Sequence, residues 1–254
     1  MHTVEINNEQ MAYEDIGTGT PILFIHPPGM GRKVFYEQKP LSKHFRLLIP
    51  DLVGNGDSSY YGESGITIRR FAEDIITLLD RLQLSSVVLF GYSAGGTIAQ
   101  FLSIHHPSRV KALILSGGYP VVDNFALKNE HRLGIVAVEK NKRLLAKVLA
   151  FSHTKDKSYR KTLREHMYKS DTSVWSKFYL ESYQFNCKEE IIGLKIPVLL
   201  LYGSKSDAMN TYIKFYKKHL TNQQLYVIKG ESHQLPTRQP NHVNQIITGY
   251  LLNQ

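Results

Sequence analysis

A single cysteine, Cys187, and a single tryptophan, Trp175, occur in 254 residues. One thiol can close no intramolecular disulfide and supplies no Cys-rich zinc site, so neither device holds the fold together. Chain length makes such staples unnecessary, because a chain of this size buries roughly 70–75% of the surface its unfolded form exposes. No run approaches the ~18 apolar residues of a membrane span. The opening Met1-His2-Thr3-Val4-Glu5-Ile6-Asn7 also lacks the cationic-then-apolar pattern of a secretory leader. A cytoplasmic protein without stable membrane insertion is the expectation. Acidic residues are scarce as well: 22 Asp and Glu face 31 Lys and Arg, a formal +9. Composition is nonetheless globular, with 42% hydrophobic and 21% charged residues. One α/β domain can use the whole length.

The excess charge is concentrated. Between residues 140 and 169, Lys140, Lys142, Arg143, Lys147, Lys155, Lys157, Arg160, Lys161, Arg164 and Lys169 face only Asp156 and Glu165, which is +8 of the +9. Within this stretch Leu144, Leu145, Val148 and Leu149 recur on one helical face, and Lys140, Arg143 and Lys147 fall on another. Two readings follow: a solvated face covered by long basic side chains, or a basic lid that attracts anionic substrates or surfaces. The rest of the chain is nearly neutral and carries no nucleic-acid motif, which argues against a nucleic-acid partner.

From residue 20 to 117 short apolar runs alternate with helical periods. Ile22–Ile25, Arg46–Ile49, Val87–Phe90 and Ala112–Leu115 read as strands bounded by Gly, Pro or Asp. Their near-continuous apolar character suits a parallel sheet covered on both faces. Phe71, Ile75, Leu78, Leu79 and Leu82 keep an amphipathic helical spacing, and Ala94 to His106 reads as a second helix stopped by Pro107. The rhythm resumes with Pro197–Tyr202 and Gln224–Ile228 as strands, and 209–219 and 240–252 as helices. Residues 120–190 interrupt it with polar, helical-period sequence. The division expected is a body of residues 1–119 and 191–254, and a helical insertion at 120–190 over the carboxyl edge of the sheet, where open α/β sheets bind ligands.

Gly91-Tyr92-Ser93-Ala94-Gly95 follows an apolar strand and opens a helix, which is the context a nucleophile elbow requires. A sharp strand-to-helix turn exposes the serine Oγ, small neighbours let the turn form, and the helix amino terminus favours developing negative charge. Among eleven histidines, His233 stands apart. It lies in Gly230-Glu231-Ser232-His233, just after the last strand, on the edge where Ser93 emerges. The order Ser…Asp…His then points to His233 as base. Asp207, in the loop after the Val198–Tyr202 strand, leads as the acid that orients it, with Asp123 as rival. His26 is read as a structural histidine, His131, His153 and His166 as solvated, and Asp51 and Asp57 as turn residues.

His26-Pro27-Pro28-Gly29, Asp51-Leu52-Val53-Gly54-Asn55-Gly56-Asp57-Ser58, the Ser93 elbow and Gly230-Glu231-Ser232-His233 together resemble the motifs of the α/β-hydrolase superfamily, in its small capped serine-hydrolase branch. The resemblance covers about residues 1–118 and 191–254 and implies a mostly parallel central sheet flanked by helices, with a helical cap. It also implies hydrolysis of a small or medium carboxylic ester through an acyl-enzyme, with no metal or organic cofactor. C–C bond hydrolysis, lactone opening or a slow-turnover ligand receptor are alternatives on the same residues. Ala94 N–H and the Gly29 region would form the oxyanion hole. Tyr92, Tyr119, Trp175, Phe178 and Tyr179, with Tyr183, would line the substrate pocket, although Trp175, Phe178 and Tyr179 share a helix face that equally suits packing. Two departures from the family pattern bear on activity. Pro27-Pro28 follows His26 where relatives have His-Gly-x, and if Pro28 takes the family's donor position that donor is missing, because proline has no N–H. Asp207 lies one residue later than the usual acid, at Gly203 plus three.

Overall fold

The computed structural model describes residues 1–62, 65–205 and 208–253. Strands β1 (His2–Ile6), β2 (Glu9–Ile16), β3 (Pro21–Ile25), β4 (Arg46–Pro50), β5 (Val87–Tyr92), β6 (Val110–Ser116), β7 (Val198–Gly203) and β8 (Gln223–Ile228) make one eight-stranded sheet in the order β1-β2-β4-β3-β5-β6-β7-β8. The pairs β1–β2 and β2–β4 are antiparallel and the others parallel. The amino-terminal hairpin is an addition to the sequence reading. Its turn rests on Asn7 and Asn8 at φ 52° and 63°, the paired left-handed conformation that a two-residue hairpin turn demands and Asn tolerates.

Strand alternation divides the core into two layers. Leu23, Ile25, Leu89, Leu113, Leu115 and Leu200 face one side, and their neighbours Ile22, Phe24, Phe90, Ile114, Leu199 and Leu201 face the other. Helices α1 (Ile68–Arg81) and α2 (Gly95–His105) cover the first side with Phe71, Ile75, Leu78, Ile98 and Leu102. On the second side lie the Arg32–Lys43 turns and α8 (Pro240–Leu252), with Val34, Phe35, Val243 and Ile247. Both faces are covered, so the strands read as continuous apolar runs. Each such side chain contributes ~1.5–3 kcal/mol of burial. Thr67 starts α1 by accepting the Arg70 N–H at 3.0 Å.

Helices α3 (Phe125–His153), α4 (Lys157–Lys169) and α5 (Thr172–Gln184) separate β6 from β7. Asn124, Asp156 and Asp171 cap them by accepting backbone N–H groups of their first turns. Non-helical Asn141 divides α3 into two arms. The short helices α6 (Ile213–His219) and α7 (Leu235–Arg238) complete the body.

The insertion is tied to the body by polar as well as apolar contacts. His166 Nε2 lies 2.9 Å from buried Asp51 Oδ1, Lys169 pairs with Asp57 at 2.6 Å, and Arg32 pairs with both aspartates. Burial alone would raise the Asp51 pKa, but the His166 hydrogen bond and the His166 and Arg32 charges outweigh it and lower it. Asp51, Asp57 and His166 could together offer three ligand atoms to a metal, yet Arg32 and Lys169 already neutralise the carboxylates, so the arrangement is that of an ion-pair network. Two expectations change here. His166 is buried, not solvated, and the aspartates join insertion to body beyond any turn role.

Candidate active site

Residue Ser93 links β5 to α2 with φ +53°. A non-glycine residue rarely adopts this conformation, and strain of this kind persists only where surrounding structure enforces it. Here the enforcement is close approach. A Cβ on Gly91 would come within 2.7 Å of Gly96 Cα, and one on Gly95 would strike the Ile25 carbonyl. The Ser93 N–H donates to the Ser116 carbonyl at 2.9 Å, and the Ser93 carbonyl accepts from Gly96 N–H at 2.8 Å.

Ser93 and His233 line the same cavity, of about 80 Å³. Room for the imidazole comes from Gly117, at φ +62° after β6, where a Cβ would collide with the ring. Among the described residues neither ring nitrogen of His233 has a hydrogen-bond partner. Burial pushes its pKa down to about 4, which keeps the ring neutral and able to accept a proton. The loop bearing it is fastened to the end of β7: Ser204 N–H donates to Ile228, Lys205 N–H to the Glu231 carbonyl and Gly230 N–H to Ser204 Oγ, at 2.8–2.9 Å.

Asp207, the leading acid, lies outside the described residues. Its rival Asp123 is engaged elsewhere, accepting from Tyr212 Oη at 2.7 Å and Lys188 Nζ at 2.8 Å. It does not line the cavity.

The oxyanion side departs from expectation. Pro27 and Pro28 line the cavity and have no N–H to offer. Gly29 does not line it, and its N–H donates to Asn55 Oδ1 at 3.0 Å, while Met30 N–H donates to the Pro27 carbonyl at 3.3 Å. The assignment of Gly29 as an oxyanion donor is therefore corrected: its amide is already engaged by a side chain 26 residues away. Ala94, the other expected donor, lines the cavity beside Ser93.

Tyr92, Tyr119 and Tyr179 line the cavity, whereas Trp175 and Phe178 do not. Trp175 covers Gly29, and the Phe178 ring lies 4.7 Å from that of Phe71, so these two pack the insertion onto the body. They are removed from the set of pocket-lining residues.

Two histidines missed in the sequence reading take their place. His131 and His153 of α3 are buried and line the cavity. Each directs Nδ1 to a carbonyl one turn back, Leu127 at 2.9 Å and Leu149 at 2.7 Å. This leaves Nε2 to accept from a tyrosine of the body: Tyr119 Oη at 2.8 Å for His131, Tyr92 Oη at 3.0 Å for His153. Burial lowers both histidine pKa values to about 4, so both are neutral near pH 7. Their signal was present: His153 continues the small-residue face of Ala146 and Ala150, and His131 lies one turn after Leu127. His26 is structural as read, with Nδ1 on the Pro27 carbonyl at 2.9 Å and Nε2 accepting from Leu52 N–H at 3.0 Å.

Pro27, Pro28, Met30, Leu149, Met209 and the tyrosines make the cavity wall mainly apolar, and Glu130 is its one charged lining residue among those described. The basic residues of the insertion are not part of it. Such a site can accept an uncharged acyl group beside a serine hydroxyl and a neutral imidazole.

The family model for the alpha/beta hydrolase fold matches residues 20–235. The chain is 25% identical to the AB hydrolase superfamily protein YisY of Bacillus subtilis, over 93% of each chain. It is 31% identical to the 2-hydroxy-6-oxo-2,4-heptadienoate hydrolase of Pseudomonas putida, over 42% of this chain and 40% of that one. An esterase from Exiguobacterium antarcticum superposes with a TM-score of 0.87 at 19% identity, covering 96% of each chain. With the model spanning most of its length and the sheet order and flanking helices to match, this chain belongs to the alpha/beta hydrolase family.

Proposed function

We propose that the protein is a serine hydrolase that cleaves small or medium, uncharged carboxylic esters through Ser93, His233 and Asp207. Hydrolase activity is supported by the family and by the names of its relatives. The observation that carries the finer reading is Ser93, held at φ +53° on the elbow and lining one mainly apolar cavity with a neutral His233 whose ring nitrogens have no hydrogen-bond partner among the described residues. His233 takes the Ser93 proton as Oγ attacks the ester carbonyl, and returns it to the leaving alcohol when the tetrahedral intermediate collapses. Water, deprotonated by the same imidazole, then releases the carboxylic acid from Ser93. Asp207 orients the ring and stabilises its cationic form. Support for Asp207 comes from its neighbours: the chain up to Lys205 is hydrogen-bonded to the His233 loop.

The oxyanion is stabilised by the Ala94 N–H without a second amide from residues 27–30. Since one missing donor costs ~3 kcal/mol of transition-state stabilisation, turnover is expected to be slow for this family. A second reading is C–C bond hydrolysis, favoured by the relative named as a heptadienoate hydrolase. Assays with p-nitrophenyl acetate and butyrate, beside a 2-hydroxy-6-oxo-dienoate, separate the two. Ester turnover that disappears in Ser93→Ala and His233→Ala supports the esterase. Dienoate cleavage without ester turnover would replace it with the second reading.

A further inference from the structure

The outer face of α3 is apolar where the sequence places it in the densest positive charge of the chain. Of the thirteen most exposed large apolar side chains among the described residues, six stand on this one helix: Phe125, Leu133, Val136, Leu144, Val148 and Phe151, each 45–79% exposed. The remaining seven are scattered over the other elements. The sequence reading placed Leu144, Leu145, Val148 and Leu149 on one helical face, and only part of that face is covered. Leu145 and Leu149 pack against the core layer, and Leu144, Val148 and Phe151, at i, i+4 and i+7, point outward. Scattered single apolar residues on a surface need no explanation, whereas a row of them along one helix does.

Cations flank the row. Lys140, Arg143, Lys147, Lys155 and Lys157 form no ion pair among the described residues, and Arg160 lies over the Phe151 ring at 4.5 Å. None of these cations lines the catalytic cavity, so the charge has no evident role in holding substrate. We infer that the outer face of α3 docks on an anionic lipid surface, with Leu144, Val148 and Phe151 entering the interface and the flanking lysines and arginines reaching the headgroups. Three features select this occupant. A helix with apolar residues on one face and cations beside them is suited to lying in the plane of a membrane interface. The exposed apolar side chains form one narrow row rather than the broad packed centre a protein partner would need. A second copy docked by two-fold symmetry would set like charges against each other. The inner face of the same helix gives Leu149 and His153 to the cavity, so docking would hold one wall of the site at the lipid surface.

Vesicle co-sedimentation of the full chain tests this, comparing phosphatidylcholine with phosphatidylcholine–phosphatidylglycerol mixtures at low and high salt. Binding to the anionic vesicles should be at least about tenfold tighter than to the neutral ones and should fall at high salt. It should be lost in Leu144→Gln/Val148→Gln/Phe151→Gln and in Lys140→Glu/Lys147→Glu. These positions are at the surface, so the circular dichroism spectrum and the turnover of a water-dissolved short ester should stay unchanged and act as folding controls. Absent binding, equal binding to both vesicle types, or binding that survives both variants overturns the inference. So does a dimer, seen by light scattering, that the variants dissociate while vesicles leave it untouched. Capture of polyglutamate without capture of vesicles would likewise reassign the face to an acidic protein.

Discussion

Body and insertion place their polar groups by different rules. In the body, chemistry-bearing residues sit at strand ends and are fixed by backbone contact: Ser93 by the closeness of Gly91 and Gly95 to their neighbours, His233 by the space over Gly117. In the insertion, buried histidines are satisfied in pairs, His131 by Tyr119 and His153 by Tyr92 at the cavity, and His166 by Asp51 away from it. The first rule brings the two proposed catalytic side chains into one cavity. The second builds a quiet wall. The two regions should therefore respond to substitution in different ways, the body in rate and the insertion mainly in stability.

The largest expected separation is between two aspartates. Asp207→Ala should lower kcat by about 10⁴-fold, since without its acid the imidazole loses both tautomer and orientation. Asp123→Ala, which removes a partly exposed ion pair with Lys188, should change kcat by less than about threefold. Steady-state kinetics on a p-nitrophenyl ester checks both. Equal losses would place the acid differently.

A gain is expected at the oxyanion loop. Pro28→Ala supplies an N–H where the resemblance puts the second oxyanion donor, and kcat should rise by about ten- to a hundredfold with little change in KM. An unchanged kcat would show that the site already has another donor.

For the insertion, Trp175→Ala should cost ~3–5 kcal/mol in urea unfolding, because it empties a buried ring site over Gly29. Its effect on KM should be small, as the ring does not line the cavity. A large KM effect with little loss of stability would return Trp175 to the pocket.

The pH dependence gives the smallest effect per group. His26, His131 and His153 have pKa values lowered to about 4 by burial, against the ordinary 6.5. The unfolded chain binds protons at these sites below pH 6.5 while the folded one does not, so stability is complete above that pH and falls as pH drops towards 4. Each contributes on the order of 1 kcal/mol per pH unit in that window. Urea midpoints across it measure the slope, and it should decrease in His131→Phe and His153→Phe, with His26, His233 and the remaining histidine still contributing. A flat profile would mean that these histidines are not buried neutral.

What could be read from sequence follows the same division. Strand runs, the elbow and the His233 loop depend on local order along the chain, and β3 to β8 appear where the apolar runs predict. The hairpin of β1 and β2 was carried by Asn7-Asn8 and a weak alternation before it. The burial of His131, His153 and His166 depends on packing partners many residues away, such as Asp51, 115 positions from His166. Their cationic surroundings in sequence suggested solvent instead. The Gly29 amide makes the same point: its direction is set by Asn55, and nothing in His26-Pro27-Pro28-Gly29 encodes it. Local pattern singled out Ser93 and His233, the proposed nucleophile and base, and tertiary contact decided which side chains form the wall.

The claim that Ser93 is an activated nucleophile can be tested directly with a fluorophosphonate probe and peptide mass spectrometry. The prediction is a single adduct on Ser93, blocked by competing ester and abolished in His233→Ala. A protein that remains unlabelled, or is labelled at another residue, would contradict it.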